Sequence, residues 1–469
     1  MVIITRTLSV EEYGIWGVII ALFAYGSVLD NLVSFWALRE TARNEKSGKT
    51  VTLLGTGIFS TAGIFIYIIA AFFVGLETEI DQNILIFAAI IIPTKFMMKN
   101  LSAINQGWKP QIISYVNLIS ESIKIPCVLI FVFYLDMSIS GVILSILVAS
   151  ITACILNIIL GRSRIKNKIN IEFVKKWFKL SWIPLYGKIA AVLFATDIII
   201  FPIISGSVEG VAFMTAALVI ANLTSFAKSI SSSVYSKLLE SEKRNYLKEN
   251  ISQLFYFIIP FGALAITFAR PGLFTLNPLY EIVTPIVIFM TLRVVLFSLS
   301  EVFIQLLRGI EKVDLKPEST FKEFMKSKLF SLATIRIIHG SFYVGILAIV
   351  LFLEHDTVSQ LELVTHWAII SLTTTIPFTI YLYFMVRKNF DLSLDTSRIF
   401  KFLLVGIGVF GLIFLLTEEF LEYNNNIFEF IPNLLVFVLS GIVGYLVLTY
   451  AVDSKTRKLV KAIMGEIKK

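Results

Sequence analysis

Apolar runs of about 20 residues, broken by short charged stretches, recur along the whole chain, and that is the length a helix needs to cross a bilayer. The runs show no alternation with a period of two, so they read as helices rather than barrel strands. Backbone groups inside lipid must be satisfied within the segment, which also favours helix. The first six spans are read at Tyr13–Leu38, Val51–Val74, Ile84–Ile104, Ile112–Leu135, Ile139–Leu160 and Leu180–Ile204. Seven more follow: Val211–Ser233, Ile251–Phe268, Ile282–Leu307, Leu329–Phe352, Val364–Met385, Phe400–Leu416 and Ile431–Tyr450. The pattern thus predicts an all-α polytopic membrane protein with about 13 spans.

The stretches between spans alternate in sign. One set is basic, as in Arg39 to Lys49, Arg162 to Lys179, Lys237 to Lys248, Arg308 to Lys328, and Arg387 with Lys388 and Arg398. The other is acidic or neutral: Glu77, Glu79 and Asp81; Asp136; Glu209; Glu354, Asp356 and Glu362; Glu418, Glu419 and Glu422. Arg6 and Arg270 are the exceptions. The positive-inside rule puts the basic set, and with it the C-terminal tail, in the cytoplasm.

A repeat runs through this pattern. SVEEYGIWGVIIA at Ser9 is echoed by SVEGVAFMTAALV at Ser207, an offset of 198 residues (207 − 9). NQGWKPQ around Gly107 is echoed by LRGIEKVD around Gly309, and Glu121 and Lys124 by Glu323 and Lys326. Three matches in one order predict two homologous halves in the same orientation. The span before the second SVE then maps MVIIT onto the outer end of a helix whose earlier turns would precede Met1. The repeat thus predicts 14 helices in two homologous halves with the first helix truncated; the alternative is a 13-helix chain whose N-terminus lies outside. The segments expected are a bundle over 1–161, a basic cytoplasmic linker over 162–179, a second bundle over 180–386, an extra helix pair over 387–452 and a basic tail over 453–469.

Composition narrows the function classes. Only 16% of residues are charged and 57% are hydrophobic. The net charge of +8 is accounted for by the basic loops, so no nucleic-acid partner is expected. Two cysteines, Cys127 and Cys154, both inside apolar runs, offer neither a disulfide framework nor a zinc site, and no cofactor or metal is expected. SGKT at Ser47 resembles the end of a phosphate-binding loop, but Arg43 stands where its first glycine belongs and no strand precedes it.

The stretch RTLSVEEYGIWGVIIALFAYGSVLDNLVSFWALRETA resembles the first signature of polysaccharide flippases, within the multidrug/oligosaccharidyl-lipid/polysaccharide exporter superfamily. Arg6, Leu8, Glu11, Tyr13, Gly14, Asp30, Arg39 and Ala42 fit its pattern, while Asn31 and Leu32 stand where a glycine is common. In the second half Pro184, Asp197, Gly210, Ala216 and Ala217 fit, and Phe213 replaces the usual tyrosine. The resemblance implies flipping of an isoprenoid-phosphate-linked sugar to the outer leaflet of the cell membrane by alternating access. It also implies two pseudo-symmetric six-helix bundles around a positively charged cavity plus a C-terminal helix pair, and as partners the lipid-linked glycan, membrane lipids and glycan-assembly enzymes, with the protein itself a monomer and not an enzyme. Rival readings are a cation-coupled multidrug exporter of the same superfamily, which would favour carboxylates over lysine and arginine, and a membrane glycosyltransferase or polymer ligase, which usually needs a sizeable external loop.

Intramembrane charges are the residues to examine, because each costs about 2.5–3.5 kcal/mol to insert at a bilayer centre. Lys188 lies halfway along its span and is the first candidate for the lipid phosphate, an ammonium being a point-charge phosphate partner. Arg293 and Arg336 are further cavity candidates. Asp30 lies about 13 Å into the membrane from Arg39 at 1.5 Å per residue, and its repeat partner is Lys228. Two pairings stay open: the two meet across the cavity and help close its cytoplasmic side, or each pairs inside its own bundle. Asp197 and Glu301 complete the gating and coupling candidates. Glu121 and Lys124, spaced i,i+3, read as a same-helix pair. His339 shares a face with Arg336. The tail SKTRKLVKAIMGEIKK offers an apolar face that fits an anionic leaflet.

Overall fold

A computed structural model describes residues 1–42, 48–109, 111–165, 169–179, 181–227, 245–309, 321–390 and 395–457. Among the described residues there is helix and no strand. Eleven helices are long and apolar enough to cross a membrane, or up to 13 if two bent pairs each count as one span. The protein is an all-α, multi-pass membrane protein.

The helices divide into two compact units, Met1–Ala212 with Ala333–Leu363, and Phe213–Leu332 with Val364–Lys469. Helix α1 (Val2–Thr7) leads into α2 (Val10–Gly26) and α3 (Asn31–Ala42). There follow α4 (Gly48–Glu77), α5 (Gln82–Trp108), α6 (Gln111–Tyr134) and α7 (Ser138–Ile165). A short α8 (Ile171–Lys179) precedes α9 (Trp182–Ser205) and α10 (Glu209–Ala221). Next come α11 (Asn245–Thr267), α12 (Ala269–Leu276), α13 (Thr284–Gly309) and α14 (Lys328–Glu354). The last three are α15 (Gln360–Phe390), α16 (Thr396–Phe420) and α17 (Ile427–Val452). Helix α9 and the Ala333–Leu363 part of the chain group with the N-terminal helices, so the compact units cut across the segments read from the repeat.

The span expected over Tyr13–Leu38 is not one straight rod. It bends by 65° between α2 and α3. The ladder gives way at Gly26 and Ser27, where the N–H groups of Val28, Asp30 and Leu32 turn to carbonyls only three residues back. The chain is pinned there, because a side chain on Gly26 would meet Ile92 and Tyr67 at about 3 Å. A second 65° bend separates α11 from α12 at Phe268. Helix α10 passes into a 3-10 turn over Asn222–Phe226, which the 198-residue offset relates to the first bend.

The N-terminal signature stretch has a structural reason at several of its positions. Ser9 and Glu12 form a capping box: Ser9 Oγ accepts from the Glu12 N–H at 3.1 Å, and the Ser9 N–H donates to Glu12 at 2.8 Å. Tyr13 is fully buried. Gly14 lets α2 touch the turn before α10, since a Cβ there would lie 2.2 Å from the Val208 carbonyl oxygen. The two SVE turns therefore meet, and Glu11 and Glu209 line one cavity of about 380 Å³. Gly14→Ala is expected to lower the thermal midpoint in detergent, with a cost of roughly 1–3 kcal/mol for the forced backbone shift; an unchanged midpoint would show that the Val208 carbonyl yields freely.

The rest of the first unit is tied by small and amide residues. Gly107 sits against the Leu38 carbonyl, where a Cβ would lie 2.5 Å away. Buried Asn105 donates to Asn157 Oδ1 at 2.8 Å, joining α5 to α7. Such amide pairs are worth about 0.6 kcal/mol on average between membrane helices, so their main effect here is to fix register.

In the second unit, Arg270, an exception to the alternation of loop charge, is matched by acids of its own side. Its Nε donates to Glu281 at 2.7 Å, Glu418 is 3.9 Å away, and the guanidinium lies 4.9 Å from the Tyr423 ring centroid. Burial pushes the Tyr423 phenol up to about 12, against the pull of Arg270.

Candidate substrate site

The bend between α2 and α3 presents Asp30, buried in the first unit, to two other helices. Lys99 of α5 donates to Asp30 Oδ2 at 2.7 Å and to Asn31 Oδ1 at 2.9 Å. Lys188 of α9 places its ammonium 2.9 Å from the other carboxylate oxygen, an ion contact without hydrogen-bond alignment. One carboxylate thus holds two ammonium groups, and the cluster carries a net positive charge. The bend aims Asp30 at α5 and α9 of its own unit; Lys228, named from the repeat as a pairing candidate, lies outside the described residues.

Asp30 and Lys99 also line a cavity of about 460 Å³. Its walls are mostly apolar, with Phe23, Ile92 and Phe96 prominent. Lys95, one helical turn before Lys99, lines it as well, and Asn117 of α6 adds an amide. An apolar pocket lined by two ammonium groups can take an amphiphilic anion, its charge at the lysines and its carbon chain along the apolar wall.

Asp197 sits elsewhere on α9. It accepts from the Tyr343 hydroxyl of α14 at 2.6 Å and from the Ile198 N–H at 2.7 Å. Next to it, Thr196 and Tyr25 share a 2.6 Å hydrogen bond that ties α9 to α2. Arg336 and His339 are on α14, with His339 edge-on to the Phe194 ring at 5.2 Å. Arg293 and Glu301 belong to α13 in the second unit, and Arg293 lies 5.3 Å from the Phe297 ring of its own helix. Glu121 and Lys124 form the same-helix ion pair expected from their spacing.

Residues 3–276 match the family described as "Polysaccharide biosynthesis protein". The chain belongs to this family. No curated protein sequence matches significantly. Among solved structures the chain is similar to a lipid II flippase, MurJ, in an inward closed conformation. That likeness has a TM-score of 0.66 and 17% identity, covering 98% of this chain and 96% of the other. It is also similar to an inward-facing multidrug resistance MATE family transporter of the MOP superfamily, with a TM-score of 0.58 and 13% identity over 84% of this chain and 94% of that one. The chain therefore shares the fold of these two membrane proteins.

Sequence reasoning found two members of the cluster, Asp30 and Lys188, and missed Lys95 and Lys99. The signal was present: KFMMK inside the span Ile84–Ile104 places two lysines at i,i+4 on one face of an intramembrane helix.

Proposed function

We propose that this protein is a flippase that moves a lipid-linked oligosaccharide or polysaccharide repeat unit from the cytoplasmic to the outer leaflet of the cell membrane by alternating access, with its C-terminus in the cytoplasm. The observation that carries this reading is the Lys99–Asp30–Lys188 cluster, two of whose residues, Asp30 and Lys99, line an apolar cavity that Lys95 lines as well. An isoprenoid phosphate has the matching chemistry, an anion on a long hydrocarbon. Family membership supports a glycan as the head group, and the two halves of the repeat supply the bundles that alternating access needs. Lys188, with Arg336 and Arg293 as further basic contacts, serves the cargo anion; Asp30, Asp197 and Glu301 serve gating and coupling. An inside-negative potential favours outward movement of an anion by about 2.3 kcal/mol per charge per 100 mV.

Flipping of a lipid-linked oligosaccharide in proteoliposomes tests the reading, scored by access of an added glycosidase to the glycan. The purified protein should accelerate exposure of the glycan, and Lys188→Ala should slow it by about tenfold, the worth of one charge-assisted contact. Export of cationic drugs with no glycan flipping would replace this reading with the multidrug exporter.

A further inference from the structure

We propose that α8 (Ile171–Lys179) is a docking surface for anionic phospholipid headgroups, and that the lipid it holds braces the Asp30 cluster. Helix α8 lies between two membrane spans, α7 and α9, in the longest basic stretch of the first unit. Its faces are sharply divided. At about 100° per residue, Ile171 and Phe178 fall within roughly 20° of each other, with Lys175 and Lys179 on the adjoining flank. Both apolar side chains are exposed, as is Ile169 just before the helix. Lys175 and Lys179 are exposed too, with Glu172 the one acid of the helix.

The third side of α8 is fixed to the protein. Trp177 is buried, beside Leu32 and Val33 of α3 and Leu54 of α4. Phe173 stacks on Trp177 at 5.9 Å, and the Phe178 ring lies 5.7 Å from that of Phe59. The Asn170 N–H donates to Thr50 at 2.8 Å, and Asn170 Oδ1 accepts from the Glu172 N–H at 2.9 Å, capping the helix. A short helix held by one face, with an exposed apolar edge beside lysines, is built to lie at the boundary of acyl chains and headgroups. The lysines commit it to anionic headgroups, because a zwitterionic leaflet offers them no net charge.

The position of α8 gives the lipid a consequence. Leu32 and Val33 follow Asp30 by two and three residues, and α9, which carries Lys188, begins three residues after α8 ends. The helix therefore packs on α3, which follows Asp30, and precedes α9, which carries Lys188, in the chain. The transport part of this inference rests on the proposed flippase activity, whereas the lipid-binding part does not.

The full-length protein in detergent is titrated with phosphatidylglycerol or phosphatidylcholine while its thermal midpoint is followed. Phosphatidylglycerol should raise the midpoint more than phosphatidylcholine. The variant K175Q/K179Q should weaken the phosphatidylglycerol response by about fivefold per lysine, the effect of one basic residue near an anionic surface. K175R/K179R should keep it, and Ile171→Ser, which touches only the exposed edge, should weaken it. In proteoliposomes the wild-type flipping rate should rise with the phosphatidylglycerol fraction, and that of K175Q/K179Q should not. Equal wild-type responses to the two lipids, or a full phosphatidylglycerol response in K175Q/K179Q, would overturn the proposal. A selective phosphatidylglycerol response with no flipping in any vesicle would uphold the lipid surface and remove the flippase reading instead.

Discussion

Asp30→Ala is expected to reduce glycan flipping by about tenfold to a hundredfold, the span set by losing charge-assisted contacts worth about 1.5–3 kcal/mol. The reason is geometric. Asp30 is the one carboxylate that both Lys99 and Lys188 contact, at 2.7 and 2.9 Å. Without it two ammonium groups are left close together among apolar walls, and each withdraws toward water or repels the other. Removing one partner of a buried ion pair costs about 3–5 kcal/mol, so the thermal midpoint should fall together with activity. A second variant separates the two effects. Asp30→Asn with Lys188→Met leaves Lys99 its amide contacts and removes the surplus charge, so the midpoint should recover. Flipping should not recover, because the ammonium that meets the cargo is gone. Recovery of both would reduce the cluster to a structural ion pair.

The largest effect on stability is expected from Arg398→Ala. Arg398 is buried at the start of α16, where its Nε donates to Asp453 at 2.9 Å and another guanidinium nitrogen donates to Ser252 of α11 at 2.8 Å. Asp453 in turn accepts from the Thr456 N–H at 2.8 Å and its hydroxyl at 2.7 Å, holding the chain as it leaves α17. One guanidinium thus joins three helices at one end of the second unit. Deleting it strands a buried carboxylate at a cost of about 3–5 kcal/mol, which should read as a drop of several degrees in the thermal midpoint in detergent. Arg398→Lys restores the charge but not the fork, and should recover only part of the loss.

The same pair predicts a pH dependence. Burial alone would raise the Asp453 carboxyl, but the Thr456 hydrogen bonds and the Arg398 guanidinium outweigh it and hold the group below the usual carboxylate range. Its stabilising contribution is present above the unfolded value of about 3.9 and is lost as pH falls through the lower folded value. The midpoint of the wild-type protein should therefore hold from neutral pH to about pH 5 and fall below about pH 4, while the Asp453→Asn variant should show a smaller fall over that range.

The sequence by itself determined the membrane class, the approximate number and ends of the spans, and the family. These follow from run length, composition and local motifs, which the bilayer and the capping rules read directly along the chain. The S-x-x-E spacing at Ser9 is a local capping pattern, and the structure shows the Ser9–Glu12 box formed. Glu121 and Lys124 were legible as a pair because helix geometry alone brings i and i+3 together. Asp30 and Lys188 stood out because charge is expensive in an apolar run.

What Asp30 pairs with was decided only by the tertiary structure. Residues 30, 99 and 188 come from three helices far apart in sequence, and they meet because the chain bends by 65° after Gly26. No periodicity encodes that bend, and the space a side chain at Gly26 would need is filled by Ile92 and Tyr67 from other helices. The same holds for Trp177, Arg398 and Asp197, whose partners lie on other helices. Lipid dictates where a helix must run; which of its faces carries a site is set by the helices packed against it.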